Sequence, residues 1–263
     1  MAIFVSGNAK GGVGKTTVAV NLSAALATNQ NNYKVCAIDF DFQCNLTRSL
    51  IQPGIEPDNT MYEILSGKNP KITNCIYPTV HPRLDLIPSA TELSGLEMDL
   101  YQDFPASNMI FRNFARDYLL ENYDFVICDV GPNINIMLNQ ALCCADGVFV
   151  VAELCSSNSM INIKTITEHI GKTKMNHNPD LRFMKLIQNK LNKSRIIDRK
   201  NIKELYDTYT EKNIFKTVIP VSTDFQMIED RHHTTIYKYK AGSKGATAFR
   251  ELGKEVVNEY LDA

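Results

Sequence analysis

Between residues 9 and 17 the chain reads Ala9-Lys10-Gly11-Gly12-Val13-Gly14-Lys15-Thr16-Thr17, which concentrates phosphate chemistry in one short loop. Small residues at Gly11, Gly12, Val13 and Gly14 let consecutive backbone N–H groups wrap phosphate oxygens at a helix N-terminus. Lys15 then brings a point charge to the β- and γ-phosphates, and Thr16 offers a hydroxyl to Mg²⁺. The strict G-x-x-x-x-G-K-[ST] spacing has glycine where Ala9 stands. Lys10, five residues before Lys15, adds a second cation.

Two acidic strand ends accompany the loop. Lys34–Asp39 is an apolar run that ends in Asp39-Phe40-Asp41-Phe42-Gln43, and Asp124–Asp129 is another that ends in Asp129. In an open parallel sheet the carboxyl ends of strands line the ligand crevice. Aspartates there, beside a phosphate loop, order Mg²⁺ directly or through its waters. The expected magnesium shell is Thr16, Asp39 and Asp129.

The elements that must position these groups follow from hydrophobic pattern. Ala2–Ser6, Lys34–Asp39, Leu84–Pro88, Asp124–Asp129, Gly147–Val151, Phe183–Gln188 and Phe215–Ile219 read as buried strands. Lys15–Ala27, Asn108–Leu120, Asn135–Cys144, Asn158–Lys174 and Asp198–Glu211 read as helices. The proline-rich stretch Gln52–Pro82 reads as loops, a short helix near Met61–Leu65 and an edge strand. Ser243–Leu261 places Phe249, Leu252, Val256, Val257, Tyr260 and Leu261 on one helical face. The alternation predicts an α/β fold: a single domain over residues 1–263, doubly wound, with a mostly parallel sheet flanked by helices.

Composition narrows the class. The 263 residues are 44% hydrophobic with a formal net charge of -1, which argues against a wholesale polycation. No apolar run is long enough for a membrane span, and the N-terminal residues lack a signal-peptide pattern. The seven cysteines include no C-x-x-C pair, and Cys36, Cys128, Cys143 and Cys144 sit in apolar runs. Reduced thiols in a soluble cytoplasmic protein are expected.

These motifs resemble the ParA/MinD group of deviant P-loop ATPases, most closely its Soj/ParA partition branch. Lys10 to Thr17 matches the family's phosphate loop, and Asp39 to Thr47 resembles its D-x-D-P-Q-G-N-x-T switch. Asn139-Gln140-Ala141-Leu142 with Ala145-Asp146, Phe215 to Pro220, and Ser243-Lys244-Gly245-Ala246 resemble later family segments. Phe42 and Cys44 replace the switch's usual proline and glycine, and Val130-Gly131-Pro132 stands where Thr-Pro-Pro is typical.

The resemblance implies a slow, partner-stimulated ATPase with ATP and Mg²⁺ as ligands. Lys10 would reach across an ATP-dependent homodimer to the other subunit's phosphates. Lys15 and Thr16 would hold the β/γ-phosphates and metal, Thr17 the α-phosphate, and Asn189 the adenine edge. Asp41 would position the attacking water. Non-specific double-stranded DNA, a ParB-like adaptor and a nucleoid-associated location are implied too, with no membrane partner. The acidic residues of Ser243–Leu261 speak against a MinD-like membrane-cycling regulator, whereas an orphan relative that positions a protein cargo shares all of the chemistry.

A DNA-binding face has a sequence signal of its own. From Arg182 to Lys240 there are 13 Lys and Arg against 7 Asp and Glu, so the rest of the chain is net negative. Lys193, Arg195, Arg199, Lys200, Lys203 and Lys216 are the candidates for phosphate contacts. The partition branch usually carries basic residues after the Ile219-Pro220 pair. This chain has Val221-Ser222-Thr223-Asp224 there.

Overall fold

The computed structural model describes residues 1–28, 33–155, 158–191 and 195–261. Its strands are Ala2–Gly7 (β1), Val35–Asp39 (β2), Tyr77–Pro78 (β3), Leu84–Ile87 (β4), Phe125–Asp129 (β5), Gly147–Glu153 (β6), Arg182–Leu191 (β7) and Ile214–Pro220 (β8). The helices are Lys15–Ala27 (α1), Asn45–Leu50 (α2), Met61–Leu65 (α3), Leu93–Gln102 (α4), Ile110–Asn122 (α5), Ile136–Cys144 (α6), Ser159–Asn176 (α7), Ile196–Thr208 (α8), Thr223–Met227 (α9), Ile236–Lys240 (α10) and Lys244–Leu261 (α11).

One sheet runs β3-β4-β2-β5-β1-β6-β7-β8, and every pairing in it is parallel except β3 with β4. Residues of β1, β2 and β5 are buried throughout, because helices cover both faces. Alternation splits them between two cores. Phe4, Ala37 and Ile127 face α1, α2 and α11, while Val5, Ile38 and Cys128 face the layer from α3 to α8. The register places Asp39 directly beside Asp129, so both acidic strand ends reach one level.

The seven strands expected from the sequence are present, with bounds moved by at most three residues. The edge strand inside Gln52–Pro82 is the two-residue β3, and α3 begins with a capping box between Thr60 and Glu63. The C-terminal helix buries Phe249, Leu252, Val256 and Val257 as its pattern implied. It also protects the far edge of the sheet. Glu255 accepts the backbone N–H groups of Lys216 and Thr217, each at 2.8 Å. All seven cysteines are free, and Cys155 alone among them is not buried. Among the described residues no helix is long and apolar enough to cross a membrane.

Two features of the α10–α11 corner yield predictions. A Cβ on Gly245 would lie 2.6 Å from the Phe225 ring, itself packed edge-on against Phe249. Gly245→Ala should therefore lower stability by about 1–3 kcal/mol in urea unfolding. His81, buried with Nε2 2.8 Å from Thr235 Oγ1, has its pKa lowered from 6.5 to about 4, by burial first and by Lys238 second. The unfolded chain takes up this proton more readily, so the contribution is present above pH 6.5 and lost as pH falls towards 4. Urea titrations should show a loss of roughly 3 kcal/mol across that window. In His81→Gln that part of the acid sensitivity should vanish.

Candidate functional site

The loop between β1 and α1 is held from three sides by polar side chains. Asn8 donates to Val151 O at 2.6 Å and accepts Lys10 N at 2.9 Å, tying the loop's start to β6. Asn189 donates to Val13 O at 2.7 Å, and Lys190 Nζ donates to Gly12 O at 2.8 Å. Gly12 and Gly14 have φ of 75° and 90°, a left-handed region that disfavours a side chain. A Cβ at Gly14 would also collide with the Asn189 amide. The resemblance implies that Asn189 meets the adenine edge; in the structure it is buried against the loop and does not line the phosphate cavity.

That cavity, about 420 Å³, is lined by Gly11, Gly12, Gly14, Lys15, Thr16 and Thr17 on one side. Asp41, Gln43, Asn45, Val130 and Pro132 form a second wall, and Lys190, Glu229, Asp230 and His233 a third. Lys15 is buried, and its Nζ donates to Lys10 O at 3.1 Å. Burial lowers its pKa, while the charges of Asp129 and Asp41 push the other way.

The three aspartates have distinct surroundings. Asp39 is fully buried, with Oδ1 accepting Asp41 N at 3.0 Å and Oδ2 accepting the Thr47 N–H and hydroxyl at 2.8 and 2.7 Å. Burial raises its pKa to about 6 against the pull of those bonds. With its oxygens committed to the switch loop, Asp39 braces Asp41; like Asp129, it lies just behind the cavity lining. Asp129 is also fully buried, yet neither oxygen has a donor at hydrogen-bond geometry. Burial and then Asp39 push its pKa well up, and nearby Thr16 and Lys15 offset this only in part. A bare buried carboxylate beside a threonine hydroxyl fits a divalent cation. Asp41 lines the cavity with Oδ1 accepting Gln43 N at 3.0 Å, and its carboxylate packs beside Gly131, between Val130 and Pro132 of the same wall.

Lys10 does not line this cavity. Its Nζ pairs with Glu153 Oε2 at 3.2 Å, at the end of β6. Thr17 donates its hydroxyl to Glu229, which sits on the π-helical turn Ile228–His232 after α9. Glu153 and Lys190 were legible by the same strand-end rule that exposed Asp39 and Asp129. Glu229, Asp230 and His233 carry no comparable signal, because a π turn has no simple period. The switch departure also has a structural consequence: Cys44 adopts φ 54°, the left-handed geometry that a glycine would take without strain.

Of the basic candidates, Arg199, Lys200 and Lys203 are exposed on α8 with Arg195 at its N-cap. Lys216 is exposed on β8, on the same face as Ile214 and Val218, which pack into the core that α8 covers. Lys193 lies outside the described residues. After β8, Val221 is exposed, Ser222 caps α9 and Asp224 pairs with Lys240 at 3.1 Å. Among the described residues no three His, Cys, Asp or Glu side chains are grouped so as to hold a metal ion.

A parallel sheet whose first strand feeds a glycine loop and a buried lysine at the next helix defines the P-loop nucleotide-binding class. A family model described as "AAA domain" matches residues 1–183. The chromosome partitioning protein ParA of Myxococcus xanthus is 29% identical over 259 residues, 97% of this chain and 87% of that protein. The sporulation initiation inhibitor protein Soj of Bacillus subtilis is 28% identical, with 95% of each covered. A cobyrinic acid a,c-diamide synthase structure from Mycobacterium smegmatis, with bound ADP and magnesium, superposes with a TM-score of 0.81 at 23% identity, over 99% of this chain and 96% of that one. The chain belongs to this AAA-domain family, among its ParA/Soj-type P-loop ATPases.

The contrast between the two aspartates gives opposite predictions. Asp39→Asn should destabilise the protein by about 1–3 kcal/mol, since an amide cannot accept from all three donors. Asp129→Asn should raise stability of the nucleotide-free protein by about 1 kcal/mol, because it removes a buried carboxylate whose desolvation Thr16 and Lys15 offset only in part. Urea titration without nucleotide or metal separates the two signs.

Proposed function

We propose that the chain is a partition-type ATPase whose ATP state is a homodimer that rides on non-specific DNA, with a ParB-like adaptor stimulating hydrolysis. The observation that carries this reading is the position of Lys10. Its ammonium is tethered to Glu153, away from the cavity that Lys15 serves, so it is a cation that its own site does not use. In a closed dimer such a lysine is free to neutralise phosphate charge in the other subunit.

Within one subunit the loop amides from Gly11 to Thr17 bind the phosphates and Lys15 stabilises charge on the β- and γ-groups. Thr17 gives its hydroxyl to the α-phosphate once Glu229 releases it. Thr16 and Asp129 would hold Mg²⁺, which when bound neutralises charge developing between the β- and γ-phosphates. Asp41, fixed by Asp39 and Gln43, accepts a hydrogen bond from the attacking water and aligns it with the γ-phosphorus. ATP becomes ADP and phosphate. The ADP and magnesium of the structural relative support this choice of ligands. The exposed bases of α8 and Lys216 are the surface assigned to DNA, which would place the protein on the nucleoid in the cytoplasm.

One observation favours a second reading, in which the same ATPase positions a protein cargo. Where the partition branch has bases after β8, Asp224 is already neutralised by Lys240 and Val221 faces solvent.

Binding of Asp41→Ala to random-sequence duplex DNA, with ATP and with ADP over a salt series, tests the proposal. The expected result is ATP-dependent binding that weakens steeply with salt and falls further when Arg199 and Lys203 are changed to Ala. Dimerisation with ATP but no DNA binding would support the protein-cargo reading. In Lys10→Ala, ADP binding should persist while partner-stimulated turnover disappears; full stimulated turnover would refute the role given to Lys10.

A further inference from the structure

The helix α4 is apolar on two sides. Leu93, Leu96 and Leu100 form one helical stripe and are buried in the core beneath. The solvent side carries Met98, Tyr101 and, just past the helix end, Phe104, which are 74%, 44% and 51% exposed. A surface helix ordinarily gives its outward side to polar residues, and a contiguous apolar stripe left in water marks a contact surface. The Tyr101 and Phe104 rings lie 6.5 Å apart. Phe104 meets the ring of His177, at the end of α7, edge-on at 6.4 Å, so the three rings form one ledge.

The charge around this ledge has a single sign. From Leu84 to Phe111 the chain has Asp85, Glu92, Glu97, Asp99 and Asp103 but no Lys or Arg. Helical geometry puts Glu97 on one flank of the stripe and Asp99 on the other, and Asp103 directly precedes Phe104. Among the described residues none of these three acids forms an ion pair. None of them lines the phosphate cavity either.

We propose that this side of α4 docks a cationic amphipathic helix of a partner protein. Its apolar side chains would lie on Met98, Tyr101 and Phe104, and its lysines or arginines on Glu97, Asp99 and Asp103. The ledge is complete within one subunit, so docking needs neither nucleotide nor dimer and stands independently of the functional reading given above. A second copy of the chain is a poorer match. Its exposed Ile196 and Ile197 share α8 with bases, but also with exposed Glu204 and Asp207.

Fluorescence anisotropy on the full chain tests this, with a labelled synthetic helix of leucine and lysine whose leucines form one stripe. The expected result is binding that weakens with salt and is the same with and without ATP and Mg²⁺. Combined Glu97→Gln, Asp99→Asn and Asp103→Asn should weaken it about tenfold or more at low salt. Combined Met98→Ser and Phe104→Ser should weaken it by about as much at low and high salt alike. Both variants change side chains at the surface, so melting temperatures should stay close to wild type. Asp117→Asn with Glu121→Gln, exposed acids on α5, should leave binding unchanged. The proposal is wrong if wild type does not bind the peptide, or if either α4 variant binds within about twofold of wild type. Equal binding of the same helix with glutamate in place of lysine would also overturn it, as would binding that requires ATP. If sedimentation shows wild type associating with itself through a contact that Phe104→Ser abolishes, the occupant is a second copy and the partner proposed here is refuted.

Discussion

Everything at this site depends on burying an ammonium and a bare carboxylate at one end of a parallel sheet. Lys15 is 6% exposed and Asp129 is fully buried. Desolvation opposes the charged form of each, and each charge favours the other's. The pair is not a closed salt bridge, because Lys15 spends a hydrogen bond on the Lys10 carbonyl and Asp129 has no donor in place. A buried charge left short of partners costs stability unless a ligand completes it. The fold therefore holds, at its ligand-binding end, groups whose best partners are an anion and a cation that come from outside.

That tension sets what surrounds it. Asn8, Asn189, Asp39 and Thr47 are buried polar side chains that would be liabilities in an ordinary core. Here each is satisfied by backbone of the phosphate loop, by backbone of the β6 strand or by the switch loop. They fix the loops where the sheet ends and fixed strand geometry can no longer do so. Preorganisation of this kind matters because hydrogen-bond donors aimed at phosphate work without reorganising at the moment of binding. Asp39 illustrates the division of labour: one residue from Asp129 across the sheet, it serves the loop, and so leaves Asp129 as the open ligand.

The sequence exposed the sheet because its strands are buried on both faces. Runs such as Val35–Asp39 and Phe125–Asp129 need no alternation to be recognised, and acid at their ends marks the crevice. What escaped was structure with weak or mixed period. The helix Leu93–Gln102 buries only Leu93, Leu96 and Leu100 and carries Gly95 within its first turn. The helices Thr223–Met227 and Ile236–Lys240, with the π turn between them, are each too short for a periodic stripe. Glu229 and His233 arrive at the cavity from that run, so their part in it is a tertiary fact. Asn189 is placed at the adenine edge by resemblance alone; the structure adds that its amide packs against Gly14 and holds the phosphate loop.

The cations of the site are also distributed in a way that bears on the proposed cycle. Lys15 is committed, Lys190 rests on a loop carbonyl and Lys10 rests on Glu153 with about a third of its side chain exposed. A partly exposed ion pair of this kind is worth at most about 1 kcal/mol, so the tether is cheap to break. It is nonetheless sufficient to keep Lys10 off its own cavity while no stronger anion is present. In the proposed dimer the phosphates of a second subunit would carry several charges held by fixed amides, and would outcompete one screened carboxylate. In the proposed dimer, Glu153 would then lose its partner at the same moment as the phosphates gain one. In the proposed cycle this exchange would tie closure of two subunits to a triphosphate in both, since a diphosphate with less charge favours it less. A single weak pair at the end of β6 would thus bias the proposed equilibrium towards separate subunits whenever the γ-phosphate is gone.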